Sequence, residues 1–236
     1  MIILVDYNNI PVAHRRRGLD YLADKIVRSI GIDYVKSHRH VLVRLYGGWY
    51  HLNKLTKEAQ KLSTTVSNVF PRLLIFLDGS TKHIISVNIE LAYSIAIEPS
   101  RHFWHTYRPR SLPPNLVCIS PRIAGCKQSD CPLQVVYDFF KNQRCPNAQC
   151  AIGPEDILKR AEEKLVDTMI TADMIYYANS NEQDLGIVTS DDDLWPGITM
   201  ALIKGIRILH VQTHARRRTP AFYSWGFGNR YIQKNL

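Results

Sequence analysis

Four aspartates stand where they could do chemistry together: Asp6, Asp167, Asp191 and Asp193. Asp6 closes an apolar run, Ile2 to Val5, and Asp191 to Asp193 follow a second one, Leu185 to Val188. Carboxylates at the carboxyl ends of buried strands lie on the edge where open α/β sheets bind ligands. Asp167 falls near the start of a predicted helix. Brought together, these groups would repel and raise one another's pKa. A divalent cation removes that cost, and hard oxygen donors suit Mg²⁺ or Mn²⁺. Such an ion activates water and neutralises charge on a phosphate. Each residue also has a plainer explanation. Asp6 could be a turn residue, Asp191 to Asp193 could cap the helix opening at Trp195-Pro196, and Asp167 could serve a helix dipole. Only joint placement favours a site. Asp173 lies six residues past Asp167, about 240° around a helix, and need not face the same way. It and Asp192 rank as supporting residues at most.

The elements that must hold these residues alternate. Strands are read at Ile2–Val5, Val41–Leu45, Leu73–Leu77, Leu185–Val188 and Ile206–Val211. Helices are read at Leu19–Ile30, Asn53–Leu62, Leu165–Tyr177 and Pro196–Lys204. Continuous apolar runs fit strands covered on both faces, and the alternation argues a parallel sheet between helices. Residues 98–152 break the pattern and read as an insertion.

That insertion carries five cysteines: Cys118, Cys126, Cys131, Cys145 and Cys150. Two Cys-x4-Cys pairs, Cys126 with Cys131 and Cys145 with Cys150, have the donors for a tetrahedral structural Zn²⁺. The alternative is a set of reduced thiols in an irregular segment. Ahead of them, His102-Phe103-Trp104-His105-Thr106-Tyr107-Arg108 mixes rings with cations. It suits either base stacking or a loop packing its own aromatics. From residue 212 the chain becomes a basic, aromatic tail with Arg216, Arg217 and Arg218.

The net charge is +9 over 236 residues, which makes a polyanion the natural partner. Hydrophobic residues make up 45%, enough for a buried core and against disorder. No apolar run approaches the roughly 18 residues of a membrane span, so no membrane partner is expected. The start has no basic region before its apolar run, so a cytoplasmic protein is the default expectation. Oligomeric state is not encoded in any pattern here.

Three segments resemble the motifs of the NYN-domain family of PIN-like nucleases. They are Val5-Asp6-Tyr7-Asn8-Asn9-Ile10, Glu163-Lys164-Leu165-Val166-Asp167 and Ile187-Val188-Thr189-Ser190-Asp191-Asp192-Asp193-Leu194-Trp195-Pro196. Asp6 with Asn9, Lys164 with Asp167, and Asp191 with Asp193 and Pro196 match that family in order, and Arg44-Leu45-Tyr46-Gly47 is a weaker match. Tyr7 and Ser190 depart from it, standing where the family often has glycine. The resemblance implies a single PIN-like (Rossmannoid) α/β domain over 1–236. It also implies a Mg²⁺- or Mn²⁺-dependent endoribonuclease acting on single-stranded RNA. Asp6, Asp167, Asp191 and Asp193 would hold the metal. Asn9 and Ser190 would orient a ligand or water, while Arg216 to Arg218 read either as a solvated basic run or, beside such a site, as a grip on phosphates. Two other readings stand beside it: an RNA-binding module of the same fold without activity, and a phosphohydrolase of small nucleotides.

Overall fold

The computed structural model describes all residues except 111–116, 159, 164, 181–182 and 216–225. The expected contacts of Lys164 and of Arg216, Arg217 and Arg218 therefore lie outside the described residues. Two compact units are formed, residues 1–107 with 163–236, and residues 108–162.

The first part of the chain runs β1 (Ile2–Asp6), α1 (Val12–Arg15), α2 (Leu19–Ile30), α3 (Ile32–Val35) and β2 (His40–Tyr46). It continues through β3 (Tyr50–His51), β4 (Lys54–Leu55), α4 (Lys57–Val69), β5 (Arg72–Asp78) and β6 (Thr81–Leu91). The middle holds β7 (Tyr107–Arg110), α5 (Leu133–Asn142), α6 (Pro154–Ile157) and β8 (Arg160–Glu163). The last part holds α7 (Val166–Ala178), β9 (Asp184–Val188), α8 (Trp195–Ile203), β10 (Arg207–Gln212) and β11 (Tyr231–Asn235).

The larger unit is an α/β layer structure around one seven-stranded sheet, ordered β11-β10-β9-β1-β2-β6-β5. Side chains of β1 alternate between its faces. Ile3 and Val5 join the core that contains Leu22, Ile26 and Ile30 of α2. Leu4 joins a second core with Met169, Ile170 and Met174 of α7 and Ile198 and Leu202 of α8. Gly186 in β9 lets α2 pack down, because a Cβ there would lie 3.0 Å from Ile3 Cγ1 and 3.2 Å from Ile30 Cδ1.

The sheet is mixed, which corrects the parallel expectation. β5 pairs antiparallel with β6. The link between them is only Gly79-Ser80, with Gly79 at φ +59°. So short a turn can join only antiparallel strands, since a parallel return needs a crossover. The strand β6 itself was not anticipated. Its signal was a period of two, with Ile85, Val87, Ile89 and Leu91 buried.

Three boundaries differ from the sequence reading. The helix expected at Asn53–Leu62 starts later, because Asn53 sits in the turn between β3 and β4. Thr56 caps the helix instead, accepting from the Ala59 N–H at 3.2 Å. Residues 98–107 belong to the sheet unit and not to the insertion. There the Phe103 N–H donates to the Tyr93 carbonyl at 2.8 Å, and the Tyr50 N–H to the Thr106 hydroxyl at 2.9 Å. The end of the chain is not wholly a tail, since β11 pairs in parallel with β10 at the sheet edge.

The smaller unit carries α5 and α6. No residue of α5 is buried; Leu133 and Val135 are 60% and 58% exposed. Among the described residues no helix is long and apolar enough to cross a membrane.

Candidate functional site: a carboxylate cleft at the sheet edge

The strand order places the site. From β1 the chain passes to β2 on one side, while β9 lies on the other and leads to β10. The carboxyl ends of β1 and β9 therefore flank the point where the winding reverses, the crevice where open α/β sheets bind ligands. Asp6 ends β1, Asp191 follows β9, and Asp167 opens α7. Asp6, Asp167 and Asp191 each present a carboxylate oxygen within 4.8 Å of the others. Asp6 is buried, Asp191 half-buried and Asp167 exposed. They line an open cleft of about 430 Å³ together with Asn8, Asn9 and Glu163.

Backbone and side-chain donors fix these groups. Asp6 accepts from the Asn9 N–H at 3.2 Å and from the Thr189 hydroxyl at 3.3 Å. Burial nevertheless pushes the Asp6 carboxyl up to about 6, with the charges of Asp167 and Asp191 adding to the rise. Asp167, although exposed overall, is raised by partial desolvation of its carboxyl, and the charges of Asp191 and Asp193 push the same way.

The fourth expected aspartate, Asp193, stands outside the trio. It is exposed, and its backbone N–H donates to Asp191 Oδ1 at 2.9 Å. Asp191 therefore caps the short turn Asp192–Leu194 while also facing the cleft. The capping explanation and the site explanation hold for the same residue.

A carboxylate that the sequence reading assigned no role stands in the cleft instead. Glu163 Oε1 accepts from the Gly48 N–H at 2.9 Å. Burial pushes its carboxyl up to about 7, with the charges of Asp6, Glu58 and Asp167 acting the same way. Glycine is needed at 48, because a Cβ would lie 2.9 Å from Glu163 Oε1 and 3.0 Å from Tyr107 Cβ. The clue in the sequence was an acid four residues before Asp167. Local spacing could not connect it to Gly48, which is 115 positions away.

Asn9 and Ser190, expected to meet a ligand, are used to tie loops together. The Asn9 side-chain oxygen accepts from the Ser190 N–H at 2.7 Å and from the Thr213 hydroxyl. The Ser190 hydroxyl oxygen accepts from the N–H groups of Thr213 and His214, both at 2.9 Å. The loops after β1, β9 and β10 are thus strapped to one another. Buried His210 adds to this: its Nε2–H donates to the Thr189 carbonyl at 3.1 Å, and Nδ1 accepts from the Tyr231 hydroxyl at 2.8 Å. Thr213 and His210 had no sequence signal beyond their position on and after an apolar strand.

Asp173 turns away from the cleft, which its helical spacing from Asp167 allows. It is fully buried and accepts from Arg44 Nε at 3.0 Å, from the Tyr46 hydroxyl and from the Ala96 N–H at 2.7 Å. Arg44 also donates to Glu90 and to the Ser94 carbonyl. This is a closed structural network.

The cysteines are not gathered into a four-thiolate group. Among the described residues, the trio at Asp6 is the one group of three or more metal-type donors this close together. Cys126 and Cys131 are neighbours. Hydrogen bonds from the Gln128 backbone and from Cys131 lower the Cys126 thiol. Cys118 is exposed, and all five are free thiols. The aromatic stretch mostly packs on itself. Tyr50 lies 4.6 Å from Trp104 and 5.9 Å from His102, centroid to centroid, and its hydroxyl is 2.9 Å from His102 Nδ1.

No protein-family model matches the chain, and no curated protein or solved structure matches it.

Proposed function

We propose that this chain is a metal-dependent nuclease of the PIN-like NYN type, acting as an endoribonuclease on single-stranded RNA. The observation that carries the reading is the convergence of Asp6, Asp167 and Asp191 within 4.8 Å at the reversal point of the sheet. The order of the three sequence motifs supports the family, and the mixed α/β sheet is compatible with it.

The donor set fits Mg²⁺ or Mn²⁺. It offers only carboxylate oxygens, it crowds like charges, and its open cleft has room for waters. Asp6, Asp167 and Asp191 would hold the ion. A bound divalent ion supplies a water of lowered pKa and offsets charge building up on phosphate. The chain's own residues do the rest. The Gly48 N–H fixes one oxygen of Glu163, whose carboxyl near 7 suits proton transfer at neutral pH. The straps from Asn9, Ser190 and Thr213 keep the aspartates in register. Asp193 adds negative charge at the rim.

The test is incubation of end-labelled single-stranded RNA, the same sequence as DNA, and free nucleotides with Mg²⁺, Mn²⁺ or EDTA. Internal cleavage of RNA with metal, absent in EDTA, is the expected result. RNA bound but left intact under every metal condition would make the chain a binding module of the same fold. Hydrolysis of nucleotides alone would make it a phosphohydrolase.

A further inference from the structure

Arg15 and Arg16 do not line the carboxylate cleft, yet they border a second hollow beside it. This hollow measures about 360 Å³ and lies between α1, the start of α2, and α4. Its polar lining is Tyr7, Arg15, Arg16, Lys61, Thr65 and Glu58, so three cations face one carboxylate. The two clefts share the turn after β1. Asp6 and Asn9 face the carboxylates, whereas Tyr7 lines the second hollow. Asn8, on the wall of the first, accepts from Arg15 Nη1 at 3.0 Å.

Arg15 is held in place. Its guanidinium lies 5.3 Å from the centroid of the Tyr7 ring, and Nη1 is 3.8 Å from Glu58 Oε1. Tyr7 is itself buried and packs 5.6 Å from Trp49. Despite this anchoring, Arg15 Nε is buried with no hydrogen-bond partner. That nitrogen has no accessible surface, so a strand in the hollow would meet the outer face of the guanidinium and the exposed Arg16 and Lys61. Phosphate oxygens match a guanidinium in both charge and geometry.

We propose that this hollow grips the phosphodiester backbone of a nucleic-acid strand next to the bond held at the carboxylates, an inference that rests on the nuclease reading. A polyanion approaching three carboxylates is repelled, and Arg15, Arg16 and Lys61 offset that repulsion one step along the strand. Tyr7, bulky where a glycine would leave the turn bare, braces Arg15 for this contact. Arg16 and Lys61 are exposed and meet the strand as mobile charges.

The experiment measures binding of a fluorescein-labelled single-stranded RNA 12-mer in EDTA, across a series of salt concentrations. The variants are Arg16→Gln with Lys61→Gln, which leave the packed Arg15 untouched, and Arg15→Gln separately. A control, Lys82→Gln with Lys204→Gln, removes the same charge from exposed sites elsewhere. The Arg16/Lys61 variant should weaken binding and flatten the slope of log Kd against log salt by about 1.4, roughly 0.7 for each lost phosphate contact on a single strand. Arg15→Gln alone should flatten it by about 0.7. Equal slopes for wild type and the Arg16/Lys61 variant, or the same loss in the control, would overturn the proposal. Asp6→Asn separates the two readings: in EDTA it should bind RNA at least as tightly as wild type, because one repelling charge is gone, while cleavage with Mn²⁺ falls. If wild type binds with the cleft-dependent slope but never cleaves, the nuclease reading fails and the backbone-binding cleft stands.

Discussion

Helices α2 and α5 begin from similar sequence patterns and end in opposite circumstances. Both space apolar residues at helical intervals. In the sheet unit, α2 buries Leu19, Leu22, Ala23, Ile26, Val27 and Ile30 against β1 and its neighbours. In the smaller unit, α5 fully buries no residue: Tyr137, Phe139 and Phe140 are half-buried, and Leu133, Val135 and Val136 stand in the open. Periodicity makes a helix in both places, but only a facing surface makes a core. The chemistry follows the same division. The carboxylates hang from strand ends that a packed core holds still, while the thiols sit where few side chains are buried.

The largest effect should come from the part of the sheet unit where burial is most demanding. Asp173→Ala removes the carboxylate opposite Arg44 and leaves a buried cation short of its partner. A loss of roughly 3–5 kcal/mol is expected, measured by urea unfolding. A loss below about 1 kcal/mol would mean that Glu90 and Ser94 suffice for Arg44. The comparison would then lose its most rigid point.

Next comes the cleft. Asp6→Asn preserves shape and removes one charge. Cleavage with Mn²⁺ should fall by roughly 100-fold or more, while the metal-free melting temperature holds or rises. The amide still accepts from Asn9, and the crowding of Asp167 and Asp191 is relieved. A destabilised variant that still cleaves would reduce these aspartates to turn and cap residues.

The same substitution has a pH signature. The Asp6 carboxyl is raised from 3.8 to about 6 in the folded protein. The native state therefore binds this proton more tightly than the unfolded chain. Its contribution is intact below about pH 4 and is lost as pH rises towards 6, by about 3 kcal/mol at most. In EDTA the stability of Asp6→Asn relative to wild type should climb over that window and level off near pH 7. Added Mn²⁺ should remove the advantage, because the ion favours the ionised trio. A difference that stays flat with pH would show that neither burial nor the charges of Asp167 and Asp191 raise Asp6.

Much of the sheet could be read from the sequence because its signals are local. The α2 boundaries follow from apolar spacing between two glycines at φ +100° and +98°. The runs Ile2–Val5 and Leu185–Val188 could only be strands buried on both faces, and an aspartate after each marks the ligand edge. Asp6 and Asp191 were visible for that reason, and Asp167 from its place at the start of a helix. Glu163 was not, because its place depends on Gly48, far away in sequence. Asn9 and Ser190 were legible as residues that matter but not as straps, since their partner Thr213 lies on a third strand end. β5 departs from the parallel expectation because its direction is set by the short Gly79-Ser80 turn and not by the strand–helix alternation around it. The cysteine spacing raised an expectation of zinc that depends on how the smaller unit folds, and no periodic pattern specifies that.

The smallest expected effect tests the opening contrast most directly. Leu22→Ala in α2 empties space in a filled core and should cost roughly 2–5 kcal/mol. Leu133→Ala in α5 removes a side chain that is 60% exposed, and should stay within about 0.5 kcal/mol. Alanine also favours the helix slightly, which offsets the lost contacts. The readout is the urea midpoint of each variant under reducing conditions, with and without added Zn²⁺. A small change at Leu133 in both conditions leaves α5 as a helix without a core. A cost of 2 kcal/mol or more only with Zn²⁺ would mean that metal draws Cys126, Cys131, Cys145 and Cys150 together and packs α5 over them. The smaller unit would then owe its order to thiolate ligation, as the sheet unit owes its own to apolar strands.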